Sequence, residues 1–520
     1  MAKQDYNLDT VLMDFSSNGH RAAWTVRNAV EGVQIFGGIG SGKTSGSGRT
    51  LALKYLAEGF GGLVLTAKHD EKQQWQEYCR ITGRSGDLII VEPDGTNHFN
   101  FLEYESAAAG KKSLTMNIVQ VLKTVINAGQ DKSGATQSDD SFWQGAMDML
   151  LANTIDLCLL AYGKVTVQLL YEIAQAAPKR IAAQQPAATT VSKDAKAGSK
   201  DTKIPEDPFR LAYRLAMEKT ALRVAAWKAK LSPEDIGKIK NNHEFTRLAS
   251  DALPDVRTMG FINNFFTDTY RNIAEKTRSI IDFNLLGFLN NLLRDPVYSL
   301  FCRYSSNFTP EDSLKGKIIL ISLPVKDYHK VGRDAQIMFK YIWQRAMERR
   351  RITENGLPVF LWADESQTFL HEHDAVYQAT ARSSRIATVY ISQNLPNYFA
   401  ALGGKDGDYR VKGFLGTLGT KIFHANADIE TNNYASALIG QDFFKKENHS
   451  RTVSGEFSTT KSHSWELQSI MRPEKFVTLK TGPGNKGMVE GVMHVQGKQL
   501  TKNSNFKNVS FNQHYITRKK

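Results

Sequence analysis

The eight residues Gly37-Gly38-Ile39-Gly40-Ser41-Gly42-Lys43-Thr44 fit the spacing G-x-x-x-x-G-K-[ST] in full. A loop of this kind turns its backbone N–H groups inward around phosphate oxygens. Its lysine reaches the β/γ-phosphates and its hydroxyl ligates Mg²⁺. The candidate phosphate cradle is therefore Gly37 to Thr44, with Ser45 next to it. A near-copy follows at Gly46–Thr50, "GSGRT", but six positions before Arg49 stands Lys43 rather than glycine, so the copy fails. The setting agrees with the first match: "EGVQIFG" has a short strand pattern and "RTLALKYLAEGF" has helical apolar spacing. The alternative is a Gly/Ser-rich turn that binds nothing. Gly46 and Gly48 stay unexplained at this level, since each should cost a helix up to about 1 kcal/mol relative to Ala.

The 520 residues leave room for two to four domains, and 41% hydrophobic residues are enough for a large core. Cys79, Cys158 and Cys302 are far apart and odd in number, which indicates neither a disulfide framework nor a zinc site. That usage suits a reducing cytosol. The polar start "MAKQDYNLDT" is no signal peptide, and "MLLANTIDLCLLAYG", the longest apolar run, is broken by Asn153 and Asp156. The chain is expected to be cytoplasmic, with no transmembrane segment of its own. Net charge is +13, and residues 441–520 hold 14 Lys/Arg against 6 Asp/Glu, or +8 of it. Such a bias points to nucleic acid or an anionic membrane surface, or is a solubilising surplus.

Seven apolar runs read as strands: Gly32–Gly37, Gly62–Thr66, Leu88–Glu92, Lys317–Leu323, Pro358–Ala363, Ile386–Ser392 and Thr420–Ala425. Most are continuously apolar, as in a parallel sheet covered on both faces. With helical patterns between them, they predict an α/β doubly wound domain. About two hundred residues between the third and fourth runs carry helical spacing instead. The expected organisation is a discontinuous nucleotide-binding domain (1–104 and 315–440), an all-α insertion (105–314) and a basic C-terminal extension (441–520). Within the insertion, residues 181–208 are rich in Ala, Lys, Thr and Pro and are expected to form a mobile loop.

A phosphate loop needs acids. "PVFLWADE" is an apolar strand ending in Asp364 and Glu365. The first acid of such a pair holds the Mg²⁺ shell, so Thr44 and Asp364 are the candidate metal residues. The second can take the proton of an attacking water. Without the loop, two acids at a strand end would read as a helix cap. The insertion accounts for the long separation of Lys43 from Asp364. Gln393 ends the strand Ile386–Ser392 and could sense the γ-phosphate, or cap a turn. Arg382 and Arg385 precede that strand. A guanidinium there could serve a neighbouring subunit's phosphate, or be a solvated charge.

Several stretches together resemble one family. They are "GGIGSGKT", "TAKHDE", "NFL", the "FW" helix, "VFLWADESQTF", "TARSSRIATVYISQN", "DIETNNYASALIG" and "MRPEKFVTL". In this order they are similar to the TraG/TraD-type coupling ATPases of type IV secretion, a branch of the FtsK–HerA superfamily. The resemblance runs from about Glu31 to Lys498. It implies a RecA-like P-loop domain with an all-α insertion, a homo-hexameric ring, and ATP with Mg²⁺. It implies ATP-driven movement of DNA, or of a protein–DNA substrate, in conjugative transfer, with secretion-channel or relaxase-type partners. DNA would be held without regard to sequence. Lys43, Thr44, Asp364, Glu365 and Gln393 take the ATPase roles and Arg382 the trans-acting arginine. Family members usually carry an N-terminal membrane anchor. None is expected here, so membrane association would come through a partner. A HerA-like cytosolic pump, a protein-export ATPase without DNA grip, and a nucleotide-binding scaffold that barely hydrolyses remain as alternatives.

Overall fold

Each of the seven apolar runs forms a strand, and all seven lie side by side in one sheet. In the computed structural model the described residues are 6–16, 21–108, 114–128, 137–179, 206–232, 239, 241–403, 407–454 and 456–516. They divide into two compact units. One comprises Met1–Asn97, Asn127–Ser133 and Phe308–Lys520; the other comprises His98–Ile126 and Gly134–Asn307.

The first unit is built on a sheet of nine strands. A short ribbon of β1 (Val11–Asp14) and β2 (Ala23–Thr25) precedes it. The parallel strands are β3 (Val33–Phe36), β4 (Gly61–Leu65), β5 (Leu88–Val91), β6 (Ile318–Ile321), β7 (Val359–Ala363), β8 (Ile386–Ser392) and β9 (Thr420–His424). Their spatial order is β9-β3-β8-β7-β4-β6-β5. Every residue of β3, β4, β6, β7, β8 and β9 is buried. This explains the absence of alternation in their sequences, because helices cover both faces of a parallel sheet. The helix Arg49–Ala57 lays Leu51 and Tyr55 into the core with Trp75, Phe360 and Trp362. The rings of Trp75 and Phe360 stack at 5.5 Å.

The last eighty residues, read as a basic C-terminal extension, contain four strands. β10 (Gln441–Ser454) and β11 (Glu456–Ser469) form a separate antiparallel hairpin. β12 (Met488–Val495) and β13 (Phe506–Asn512) then return to the main sheet, β12 pairing antiparallel with β9. Polar residues interrupt both strands in the sequence; β13 is an edge strand with one face open, and tertiary pairing makes both part of the sheet.

The second unit is helical, with no strand among its described residues. Its helices include Leu114–Ala128, Gln137–Tyr162, Val167–Gln175, Pro208–Lys228, Pro254–Asn264 and Glu275–Leu292. Local signals set their starts. The side chains of Thr166 and Asp207 accept the N–H groups of Leu169 and Arg210, and Pro208 stands in the first turn. Leu150, Ile155, Ile173, Ala212, Ile262 and Leu289 are buried in this unit. Within it, Gly145–Tyr162 is long and apolar enough to cross a membrane by length and composition, despite Asn153 and Asp156, and 44% of that stretch is buried. The loop expected at 181–208 lies outside the described residues up to position 205.

Candidate nucleotide site

The strand order brings distant residues to one edge. β7 sits between β8 and β4, and β8 sits between β7 and β3. The C-terminal ends of these four strands therefore present Lys43, Lys68, Asp364 and Gln393 side by side, as expected at the switch point of an open α/β sheet.

The loop leaves β3 at Phe36. The Gly38 N–H donates to the Ala425 carbonyl at 2.8 Å, and Gly40 and Gly42 adopt left-handed backbone (φ 73° and 81°). Lys43–Gly48 then winds as one wide π turn before the regular helix. This turn accounts for a glycine that the sequence left unexplained. A Cβ on Gly46 would lie 2.3 Å from Val489 Cγ2, and one on Gly42 would lie 2.5 Å from Val489 Cγ1. The glycines let β12 press directly on the loop. Behind it, the Ser47 hydroxyl meets His424 Nε2 at 2.7 Å, and His424 Nδ1 meets the Glu490 carbonyl at 2.8 Å. Since a carbonyl only accepts, Nδ1 carries the proton and Ser47 donates to Nε2. Burial pushes the His424 pKa down to about 4, so the ring is neutral. Gln513 donates to Ser45 Oγ at 2.6 Å, and Arg49 donates to the Tyr515 carbonyl at 3.0 Å. None of these supports was legible as a motif.

Thr44 Oγ1 donates to Asp364 Oδ2 at 2.8 Å. Lys43 is buried; burial lowers its pKa while Asp364 and Glu365 pull it back up. Glu365 has left-handed backbone (φ 49°). Its Oε1 accepts from Gln393 Nε2 at 3.2 Å and its Oε2 from Gln367 Nε2 at 3.0 Å. Burial opposes ionisation of Glu365, but the two amides and the charges of Lys68 and Lys43 outweigh it and lower its pKa. Lys68 and Glu71, quoted only within "TAKHDE", complete the edge. The Lys68 ammonium lies 3.2 Å from Asp364 Oδ2 and 3.4 Å from Glu365 Oε1. Glu71 is buried and its Oε2 accepts the Ala67 and Lys68 N–H groups at 2.7 and 3.3 Å. Lys68, Glu71 and Asp364 line a cavity of about 270 Å³ with Gly40–Ser45. A groove of about 660 Å³ at the foot of the β10–β11 hairpin is larger but contains no phosphate loop, so volume does not select the site.

Arg382 is not brought to this edge. It precedes β8 and pairs with Glu31, which precedes β3, at 3.5 Å. Both lie at the N-terminal edge of the sheet. The seven residues of β8 put roughly 20 Å between them and the phosphate loop. Arg385 lies at that same edge, where its guanidinium donates to the Gly356 carbonyl at 2.8 Å.

The matches with known proteins agree with this geometry. Residues 358–481 match the family model TraG-D_C, described as the TraM recognition site of TraD and TraG. No curated protein matches the chain. The bacterial conjugative coupling protein TrwBdeltaN70, in an unbound form, matches with a TM-score of 0.59 at 12% identity, over 94% of this chain and 86% of that one. The chain has the fold of a conjugative coupling protein. The plasmid coupling protein TrwB with a non-hydrolysable ATP analogue, ADPNP, matches with a TM-score of 0.56 at 13% identity, over 100% of this chain and 90% of that one. TrwB with ADP and Mg²⁺ matches at 0.55 and 12%, over 95% and 88%. The coupling-protein fold thus extends over nearly the whole chain, and the TraG/TraD likeness in sequence covers the stretch from β7 through the β10–β11 hairpin.

Proposed function

We propose that the chain is an ATP-hydrolysing coupling ATPase that recruits and moves DNA, or a protein–DNA substrate, for conjugative-type transfer. The observation that carries this reading is the contact of Thr44 with Asp364, on a coupling-protein fold, beside a Glu365 carboxylate held by Gln393.

The residues suit ATP and Mg²⁺. Ser41 Oγ is buried and has no hydrogen-bond partner among the described residues, and a phosphate oxygen would satisfy it. The Thr44 hydroxyl and Asp364 carboxylate are hard oxygen donors of the kind Mg²⁺ prefers. Thr44 and Asp364 would hold the ion, which would supply positive charge against the negative charge that develops on the phosphates. Gly37 to Ser45 wrap the phosphates, and Lys43 puts its charge at the β/γ oxygens. Glu365 takes the proton of the attacking water, with Gln393 orienting its Oε1. Its lowered pKa keeps it an acceptor at neutral pH.

Arg382 is the trans arginine in this reading. Its distance from the loop of its own chain favours a site completed by the next subunit of a homo-hexamer. Arg385 donates to the Gly356 carbonyl, whereas Arg382, though paired with Glu31, is 64% exposed, which favours Arg382. The family description supports a protein partner on the surface of residues 358–481. The basic surplus of residues 441–520 supports a polyanion such as DNA, held through phosphates. The domain roles follow: the sheet unit hydrolyses and the helical unit recognises substrate. The chain would work on the cytoplasmic side of a membrane.

The test is ATP turnover of the purified chain with and without DNA over a range of salt. DNA stimulation that is indifferent to sequence and falls steeply with salt supports the proposal. Turnover indifferent to DNA would favour a protein-export ATPase, and no turnover a recruitment scaffold.

A further inference from the structure

We propose that Lys68 is a catalytic residue that senses the nucleotide in cis, its ammonium exchanging between the Asp364–Glu365 carboxylates and the γ-phosphate. The inference rests on the Mg²⁺–nucleotide reading of the site.

The backbone of Lys68 is fixed by its neighbours, whereas its side chain is held only through its ammonium, at Asp364 and Glu365. Thr66, two residues earlier, donates its N–H to Gln336 Oε1 at 2.7 Å and its hydroxyl to the Ile321 carbonyl at 2.7 Å. Gln336 returns a bond to the Thr66 carbonyl at 2.9 Å. Glu71 captures the next two N–H groups. Motion is thereby confined to the four-carbon stem, whose side chain is 29% exposed and lines the phosphate cavity. An ammonium on such a stem is a point charge with three re-aimable donors.

Each of its contacts is shared. Asp364 Oδ2 also receives the Thr44 hydroxyl, and Glu365 Oε1 also receives Gln393. The ammonium thus neutralises both acids at once and engages the oxygen that must accept a proton. A divalent cation at Thr44 competes for the same edge of Asp364 and repels the ammonium, while a terminal phosphate attracts it. Release of Glu365 is then coupled to the presence of a γ-phosphate. Lys43 is less suited to such an exchange, because its side chain is buried.

The experiment measures Mg²⁺-dependent affinity of the full chain for ADP and for a β,γ-imido ATP analogue, with melting curves to show that each variant is folded. The parent should prefer the triphosphate analogue. Lys68→Met should lose that preference by about tenfold or more, the scale of a charged hydrogen bond, with ADP affinity unchanged or higher. Lys68→Gln, which keeps polarity without charge, guards against a misfolded Met variant and should lose the preference too. An unchanged ratio in a folded variant overturns the proposal and leaves Lys68 a structural ion pair, without touching the nucleotide reading. No binding of either nucleotide by the parent overturns both.

Discussion

Thr44 and Asp364 stand 320 positions apart in the chain, yet the hydroxyl of one donates to the carboxylate of the other at 2.8 Å. The contact exists because β3 and β7 flank β8, and the helical unit occupies the intervening chain between β5 and β6. It divides labour between the loop and the acids, and the two can be separated. Lys43→Ala should weaken nucleotide binding. Glu365→Gln should retain binding and lose turnover by about 10²–10⁴, the range of a positioned general base. Turnover at the parental rate in Glu365→Gln would remove Glu365 from that role.

The distance of Arg382 from its own loop predicts complementation. Arg382→Ala and Glu365→Gln should each be nearly inactive, the arginine being worth about 10³–10⁵ in related phosphoryl transfers. Mixed before assembly, they should recover activity above either parent, because some interfaces join an intact catalytic face to an intact arginine. The same mix with Arg385→Ala should show no comparable rescue. No recovery in rings shown to be mixed would count against a shared site.

Val489 and Gly46 form a tight pair, so size at one should be correctable at the other. Gly46→Ala places a Cβ 2.3 Å from Val489 Cγ2 and should destabilise the unit by about 1–3 kcal/mol. Val489→Ala should restore part of that loss in the double variant, a coupling readable by denaturant unfolding. Additive losses would show that the turn relaxes elsewhere.

The buried, neutral His424 gives stability a pH dependence. Its pKa is about 4 in the folded chain against about 6.5 when unfolded. The unfolded chain therefore binds the extra proton first as pH falls. Stability due to this group is full above pH 6.5 and is lost as pH drops toward 4. His371 and His494 are pushed down in the same direction, to about 3 and about 4, again by burial. Thermal melting should thus weaken between pH 6.5 and 4, with a slope reduced by about one proton in His424→Gln. An unchanged slope would mean that the ring is already solvated.

Cuts near the C-terminus should separate two effects. Removing 517–520 takes away Arg518, Lys519 and Lys520 and should lower DNA affinity with basal turnover kept. Cutting after Asn512 also removes the contacts of Gln513 with Ser45 and of Tyr515 with Arg49. That cut should reduce basal turnover as well, since the turn after the phosphate loop loses its support. Equal basal rates for the two truncations would make the clamp dispensable.

What the sequence by itself determined was set by local constraints. A phosphate loop must be written in consecutive residues, because its backbone N–H groups have to converge within a single turn. Gly37 to Thr44 could therefore be read directly, as could seven strands, six of them buried throughout, whose runs are mostly apolar. Asp364, Glu365 and Gln393 were legible because they end such strands. Strand order is non-local, and it alone brought Lys68 beside Asp364 and sent Arg382 to the far edge. The same holds for His424, Val489 and Gln513. Each is an ordinary residue in its own segment, and each acquires its place only when β12 and β13 close against β9 and the loop helix. A one-faced or edge strand such as β13 carries little apolar signal, so its pairing is decided by the surface it meets.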